Sequence, residues 1–165
     1  MQKLYLDCDG VILDTINRSY KMLLEKKITT EEEVTEFYSN IDWEQLIKDS
    51  GQINNSIDKI KELSNYFDIE ILTHVNSENE VNVKKRYFAR ELPNINVITV
   101  PKKTKKADFV DANGAILVDD FSSNLEYWVT KGGIGIKFSS DTDEKEYKVI
   151  SDLLELIDIF VKIEI

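Results

Sequence analysis

The sequence is poor in cysteine, in proline and in positive charge, and each shortage excludes something. A single cysteine, Cys8, among 165 residues cannot close an internal disulfide. That removes the disulfide-stapled extracellular scaffolds and points to a reducing, cytoplasmic setting. Lysine and arginine number 21 against 31 aspartates and glutamates, a formal charge of -10 with a pI near 4.7. Such a chain lacks the basic footprint that a nucleic-acid polymer or an anionic membrane surface demands. No apolar run reaches the length of a bilayer span, and the first strand pattern begins too early to leave room for a signal peptide. There is no repeat, low-complexity tract or flexible linker. A chain of this length with 42% hydrophobic and 32% charged residues reads as one globular, soluble domain with at most a small inserted lobe. A small phosphorylated ligand remains possible, because a metal and one or two lysines can neutralise it locally.

What is present is organised around Leu4-Tyr5-Leu6-Asp7-Cys8-Asp9-Gly10-Val11-Ile12-Leu13. An apolar run rises to two aspartates and breaks at a glycine, the pattern of a buried parallel strand delivering polar groups at its carboxyl end. Period-two alternation sets Asp7 and Asp9 on one side of the extended chain and Cys8 on the other, as a small buried hydrophobe. A second acidic pair, Asp119-Asp120, ends the run Ala115-Ile116-Leu117-Val118. Two strands finishing in carboxylates at one sheet edge make an oxygen-rich pocket that suits Mg²⁺.

These residues resemble the motifs of the haloacid dehalogenase-like (HAD) phosphohydrolases. Asp7-Cys8-Asp9-Gly10-Val11 matches the first motif, Ile69-Glu70-Ile71-Leu72-Thr73 looks like the second, and Ile116-Leu117-Val118-Asp119-Asp120 the fourth. A lysine of the Lys102–Lys106 cluster stands for the third. Lys106, directly before Ala107-Asp108-Phe109, is favoured, with Lys102, Lys103 and Lys105 as alternatives. The runs from Asp9 to Asp14 and from Asp119 through Asn124, Trp128 and Gly132-Gly133 to Phe138 resemble the 5′(3′)-deoxyribonucleotidase-like branch. The resemblance implies a doubly wound, mostly parallel Rossmann-like sheet of α/β class. It also implies a small helical cap inserted after the first strand: core 1–14 and 67–165, cap 15–66. It further implies a phosphatase acting on small phosphomonoesters such as nucleoside monophosphates. Asp7 would be the nucleophile and Asp9 the acid/base, with Thr73 and Lys106 holding the phosphoryl group. Mg²⁺ would be held by Asp7, Asp119, Asp120 and the backbone carbonyl of Asp9. Two rivals are a phosphoacceptor signalling module and a HAD-like binding protein without catalysis.

The remaining pattern places helices over about 14–27, 31–38, 42–48, 57–67, 78–91 and 149–160. Strands fall at 69–73, 96–100, 115–118 and 134–138. In the first helix Ile16, Tyr20, Leu23 and Leu24 form the apolar face. Thr29-Thr30-Glu31-Glu32-Glu33 is a helix-start signature, and Asp42, Ser56 and Ser122 or Ser123 are expected N-caps. His74, the single histidine, follows Thr73 at the pocket edge as a candidate substrate contact. Tyr20, Phe37, Tyr38 and Trp43 could stack on a base, although aromatics at helical spacing are more often core. Trp128 reads as packing.

Overall fold

The structure, a computed structural model, describes residues 1–141 and 146–162. Six strands, all parallel, form one sheet: β1 (Gln2–Leu6), β2 (Phe67–Val75), β3 (Asn96–Pro101), β4 (Ile116–Asp119), β5 (Ile134–Phe138) and β6 (Lys148–Ile150). Their spatial order is β3-β2-β1-β4-β5-β6, the doubly wound arrangement, and the chain reverses direction across the sheet between β1 and β4. Four helices lie between β1 and β2: α1 (Thr15–Glu25), α2 (Glu31–Asn40), α3 (Trp43–Ser50) and α4 (Ser56–Leu63). The others are α5 (Glu78–Glu91), α6 (Lys106–Phe109), α7 (Ser122–Thr130) and α8 (Glu155–Phe160).

Both faces of the sheet are covered, which is why its strands read as near-continuous apolar runs. Leu4, Leu6, Ile71, Ile116 and Val118 belong to one core cluster with residues of α3, α4, α5 and α8. Tyr5, Leu72 and Leu117 belong to the other, against Leu125 and Trp128 of α7. Each fully buried aliphatic side chain contributes roughly 1.5–3 kcal/mol. Trp128 packs edge-on against Tyr5 and donates its indole N–H to the Ala115 carbonyl at 3.0 Å, so its polar atom is satisfied inside the core. No helix among the described residues is long and apolar enough to cross a membrane.

Several local expectations are corrected. The 149–160 helix is in fact a three-residue strand, β6, followed after a turn by α8. Ile150 pairs with Phe138 at the sheet edge, and that long-range pairing overrides a helical apolar spacing. Phe67 opens β2 and does not close a helix. In α1 the buried residues are Thr15, Ser19 and Leu23, while Tyr20 and Leu24 are exposed. The inward face of α1 carries hydroxyls bonded to Asp9 Oδ1, from Thr15 at 2.6 Å, and to the Tyr38 hydroxyl, from Ser19 at 2.9 Å, so apolar periodicity misorients the helix. Thr30 forms a full capping box with Glu33, and Asp42 caps α3 by accepting from the Gln45 N–H at 3.0 Å. Ser56 lies inside α4 and gives its hydroxyl to the Ile12 carbonyl at 2.7 Å. Neither Ser122 nor Ser123 is the N-cap of α7; that position is Phe121, and the Ser122 hydroxyl accepts from Lys137.

The segment between β1 and β2 is held in two different ways. Helix α4 is tied to the C-terminal part of the chain, with Lys59 Nζ 2.6 Å from Asp152 Oδ2 and Asn54 Nδ2 donating to the Ser151 carbonyl at 3.3 Å. Helices α1, α2 and α3 instead cover the carboxyl end of the sheet. The chain leaves for them at Asp14 and returns at Gly51, and the Asp14 N–H donates to the Gly51 carbonyl at 3.0 Å.

Candidate active site

At the topological switch point the strand ends bring two aspartates side by side. Leu6 is in register with Val118, and the Asp7 N–H donates to the Val118 carbonyl at 3.0 Å. Asp7 therefore lies next to Asp119, the last residue of β4. Beyond it the chain closes a tight turn in which the N–H groups of Ile12 and Leu13 both donate to the Cys8 carbonyl, at 2.9 and 3.1 Å. Cys8 is fully buried on the apolar side, where desolvation pushes its thiol well above the ordinary range. The turn depends on Gly10. Its φ of +87° favours glycine, and a Cβ there would run into the Asp120 carboxylate. Gly10→Ala is expected to destabilise the protein by about 2 kcal/mol or more; an unchanged urea midpoint would refute that account.

A cavity of about 440 Å³ has Asp7, Asp9, His74, Asp119 and Asp120 in its walls, and two groups of charges are built around these carboxylates. In the first, oxygens of Asp7, Asp119 and Asp120 lie within 4.8 Å of one another. Lys106, nearly buried at the start of α6, reaches Asp7 Oδ1 at 2.9 Å and Asp119 Oδ2 at 2.8 Å. Asp119 is further fixed by the Phe121 N–H on Oδ1 at 2.9 Å and by Asn124 Nδ2 on Oδ2 at 3.0 Å. Burial, then the nearby Asp119 charge, raises Asp7 well above the ordinary carboxylate range, with Lys106 opposing. The same two causes lift Asp120 to about 6. Lys106 is itself raised: burial opposes its charge, but Asp119 and Asp7 outweigh that.

Three ionised carboxylates against one ammonium leave two negative charges uncompensated, an excess that adds to burial in raising Asp7 and Asp120. A divalent cation with a preference for hard oxygen donors fits this set. The residues that would hold it are Asp7, Asp119 and Asp120.

In the second group, around Asp9 and Thr73, sequence reasoning missed Lys84 and Glu80. Lys84, in the middle of α5, is fully buried, and its Nζ donates to Asp9 Oδ2 at 2.6 Å, Thr73 Oγ1 at 2.8 Å and the His74 carbonyl at 3.3 Å. Glu80, one turn earlier and also buried, brings Oε2 to 2.6 Å from the same nitrogen, an ion pair outside hydrogen-bond geometry. Its Oε1 accepts from the Asn76 N–H and Nδ2 at 2.7 and 3.0 Å. Asp9 Oδ1 accepts from the Thr15 hydroxyl at 2.6 Å. Burial would raise Asp9, but the Lys84 charge and its hydrogen bond, with help from Thr15, hold its carboxyl below the ordinary value. Lys84 is correspondingly raised by Asp9 and Glu80 against the cost of burial.

The structure thus gathers Asp7, Asp9, Thr73, Lys106, Asp119 and Asp120 at one sheet edge. His74 borders the same cavity, its Nε2 2.8 Å from the Thr104 carbonyl, and desolvation lowers its pKa. The alternatives Lys102, Lys103 and Lys105 line the cavity, while the lysine hydrogen-bonded to Asp7 and Asp119 is Lys106. Tyr20, Tyr38 and Trp43 border the cavity, and Phe37 does not. Exposed Phe121 adds an aromatic face from the opposite wall. A larger cavity of about 910 Å³ opens at the amino ends of the strands, near Met1, Phe67 and Leu92, away from these carboxylates.

No protein-family model matches the chain, and no curated protein sequence does. Solved structures do match over nearly the whole length. A HAD-superfamily hydrolase of subfamily IA from Geobacter sulfurreducens superposes with a TM-score of 0.66, 15% identity and 96% coverage of both chains. The chain has the HAD fold. The magnesium-bound HAD hydrolase YfnB from Bacillus subtilis gives 0.63 at 15% identity, over 96% of this chain and 97% of that one. D,D-heptose 1,7-bisphosphate phosphatase from Burkholderia thailandensis gives 0.61 at 13% identity, over 98% and 100%. At such identities the likeness concerns the HAD fold alone, so activity has to be argued from the site.

Proposed function

We propose that this HAD-fold protein is an intracellular, Mg²⁺-dependent phosphatase of small phosphomonoesters, with nucleoside monophosphates as the leading substrate class. The observation that carries this reading is the Asp7 carboxylate at the switch point. It is flanked by a buried lysine and two further carboxylates, and a second, independently held aspartate stands two residues on. Similarity to a magnesium-bound HAD hydrolase and to a sugar bisphosphate phosphatase supports it. When bound, Mg²⁺ supplies charge screening between the anionic ester and the anionic site.

The chain's own residues supply the rest. Asp7 attacks phosphorus, forming an aspartyl phosphate as the ester P–O bond breaks, and water later returns the carboxylate and releases phosphate. Lys106 balances charge on the transferring group. The Thr73 hydroxyl accepts from Lys84 at 2.8 Å and donates to the His74 carbonyl at 3.3 Å, a long bond that it exchanges for a phosphoryl oxygen when the ester binds. Asp9 gives a proton to the departing oxygen and takes one from the incoming water. Thr15 and Lys84 hold the two oxygens of Asp9 at 2.6 Å each, which fixes the carboxyl for both proton transfers. Helices α1–α3 cover the site and limit water, and the lysines lining the cavity attract anions to an acidic protein. Exposed Tyr20 and Phe121 offer faces to a base. Neither a nucleic-acid polymer nor a membrane belongs to this reading.

Phosphate release from ribo- and deoxynucleotides, sugar phosphates and p-nitrophenyl phosphate, with Mg²⁺ and with EDTA, tests the proposal. The expected result is Mg²⁺-dependent release that favours nucleotides. Release from sugar phosphates alone would keep the mechanism and discard the nucleotide. No release from any ester by folded protein would defeat the phosphatase reading.

A further inference from the structure

The buried pair Glu80–Lys84 has no place among the residues that meet phosphorus, yet it is the most completely enclosed charged pair at the site. Burying an ammonium and a carboxylate on a helix is costly, and an apolar pair of similar volume would hold α5 against the sheet at least as well. The contacts of Lys84 indicate what the pair does instead. One nitrogen holds the Asp9 carboxylate, the Thr73 hydroxyl and the His74 carbonyl, so it joins the turn after β1 to the end of β2. The same nitrogen lies 5.0 Å from the ring centre of Trp43 in α3, which carries the contact into the covering helices. Glu80 in turn is locked by two donors from Asn76. The groups that face Lys84 are therefore Asp9, Glu80, Thr73, the His74 carbonyl and the Trp43 ring.

We propose that Lys84, braced by Glu80, is a positioning residue that aims Asp9 at the leaving-group oxygen. This rests on the phosphatase reading above. Asp9 is held at both oxygens, Oδ1 by Thr15 and Oδ2 by Lys84; with the second contact gone its carboxylate is free to turn about its last torsion. As the bond from Asp7 to phosphorus forms and the ester P–O bond breaks, the departing oxygen takes its proton from Asp9. A misaimed Asp9 fails most where that proton matters most.

Leaving-group dependence separates this role from a merely structural one. Departure of p-nitrophenolate needs little protonation, whereas an alkoxide needs it fully. The value of kcat/KM covers the steps through loss of the leaving group, so it reads the protonation directly. In Lys84→Met, kcat/KM for an alkyl phosphate is expected to fall roughly a hundredfold further than for p-nitrophenyl phosphate. Glu80→Gln, which leaves Lys84 on Asp9, is expected to shift the same ratio in the same direction by less. It carries the test if Lys84→Met does not fold. An equal loss on both esters, in an enzyme whose wild type is active, would overturn the positioning role and leave the phosphatase reading standing. A wild type that releases phosphate from neither ester would defeat that reading and this one with it.

Discussion

Asp7→Asn is expected to lower phosphate release by roughly four orders of magnitude or more, because an amide cannot form the phosphoenzyme. The same change should not harm the fold. Asp7 is crowded by burial and by Asp119, so replacing its charge with an isosteric neutral group relieves repulsion while an amide oxygen remains to accept from Lys106. The thermal midpoint in EDTA should therefore equal or exceed that of the wild type. Turnover within tenfold of wild type would sink the nucleophile assignment, and a collapse of stability would show that the carboxylate is structural.

Lys106→Met gives the second large effect, on stability as well as rate. The substitution removes the ammonium shared by Asp7 and Asp119, and Asp119 is completely enclosed. Removing one partner of a buried pair costs about 3–5 kcal/mol. Asp7 can escape part of that cost by protonation, so the loss should deepen as pH rises. A divalent cation would supply the missing positive charge. Urea unfolding should accordingly show a deficit in EDTA that Mg²⁺ repairs, with a larger Mg²⁺ stabilisation in the variant than in the wild type. Equal stability in EDTA, or an unaltered response to Mg²⁺, would contradict the charge balance drawn for the site.

The parts of this molecule legible in the sequence are those where one local signal suffices. Asp7 and Asp119 could be found because each ends an apolar run, and the register Leu6 to Val118 makes neighbours of them. Lys106 stood out because it precedes a helix start. Lys84 and Glu80 gave no such signal. On α5 they resemble a solvated (i, i+4) pair, and only the tertiary placement reveals that they share the buried face with Val83 and Phe88. The spacing Glu80–Val83–Lys84–Phe88 was the available clue, an apolar stripe with a charged pair set inside it. Thr15 and Ser19 were hidden for the related reason that their hydroxyls are buried by pairing with Asp9 and Tyr38, partners that helical spacing does not reveal. Strand β6 was hidden because three residues carry too short a pattern to compete with the helical spacing that follows them.

The junction at Asp14 and Gly51 has a consequence for how such a protein can change. The segment between them departs and returns at adjacent points, joined by a backbone hydrogen bond and by the Leu13–Gln52 bridge. Its ends are thus already closed, and doubling its length would cost only about 0.6 kcal/mol in closure entropy. A segment with that geometry can be exchanged as a cassette, provided the replacement still covers the apolar seat of Trp43, Leu46 and Ile47. Such an exchange would still reach the sheet edge at two points, because Thr15, which donates to Asp9 Oδ1, and Trp43, whose ring faces Lys84, both belong to the cassette.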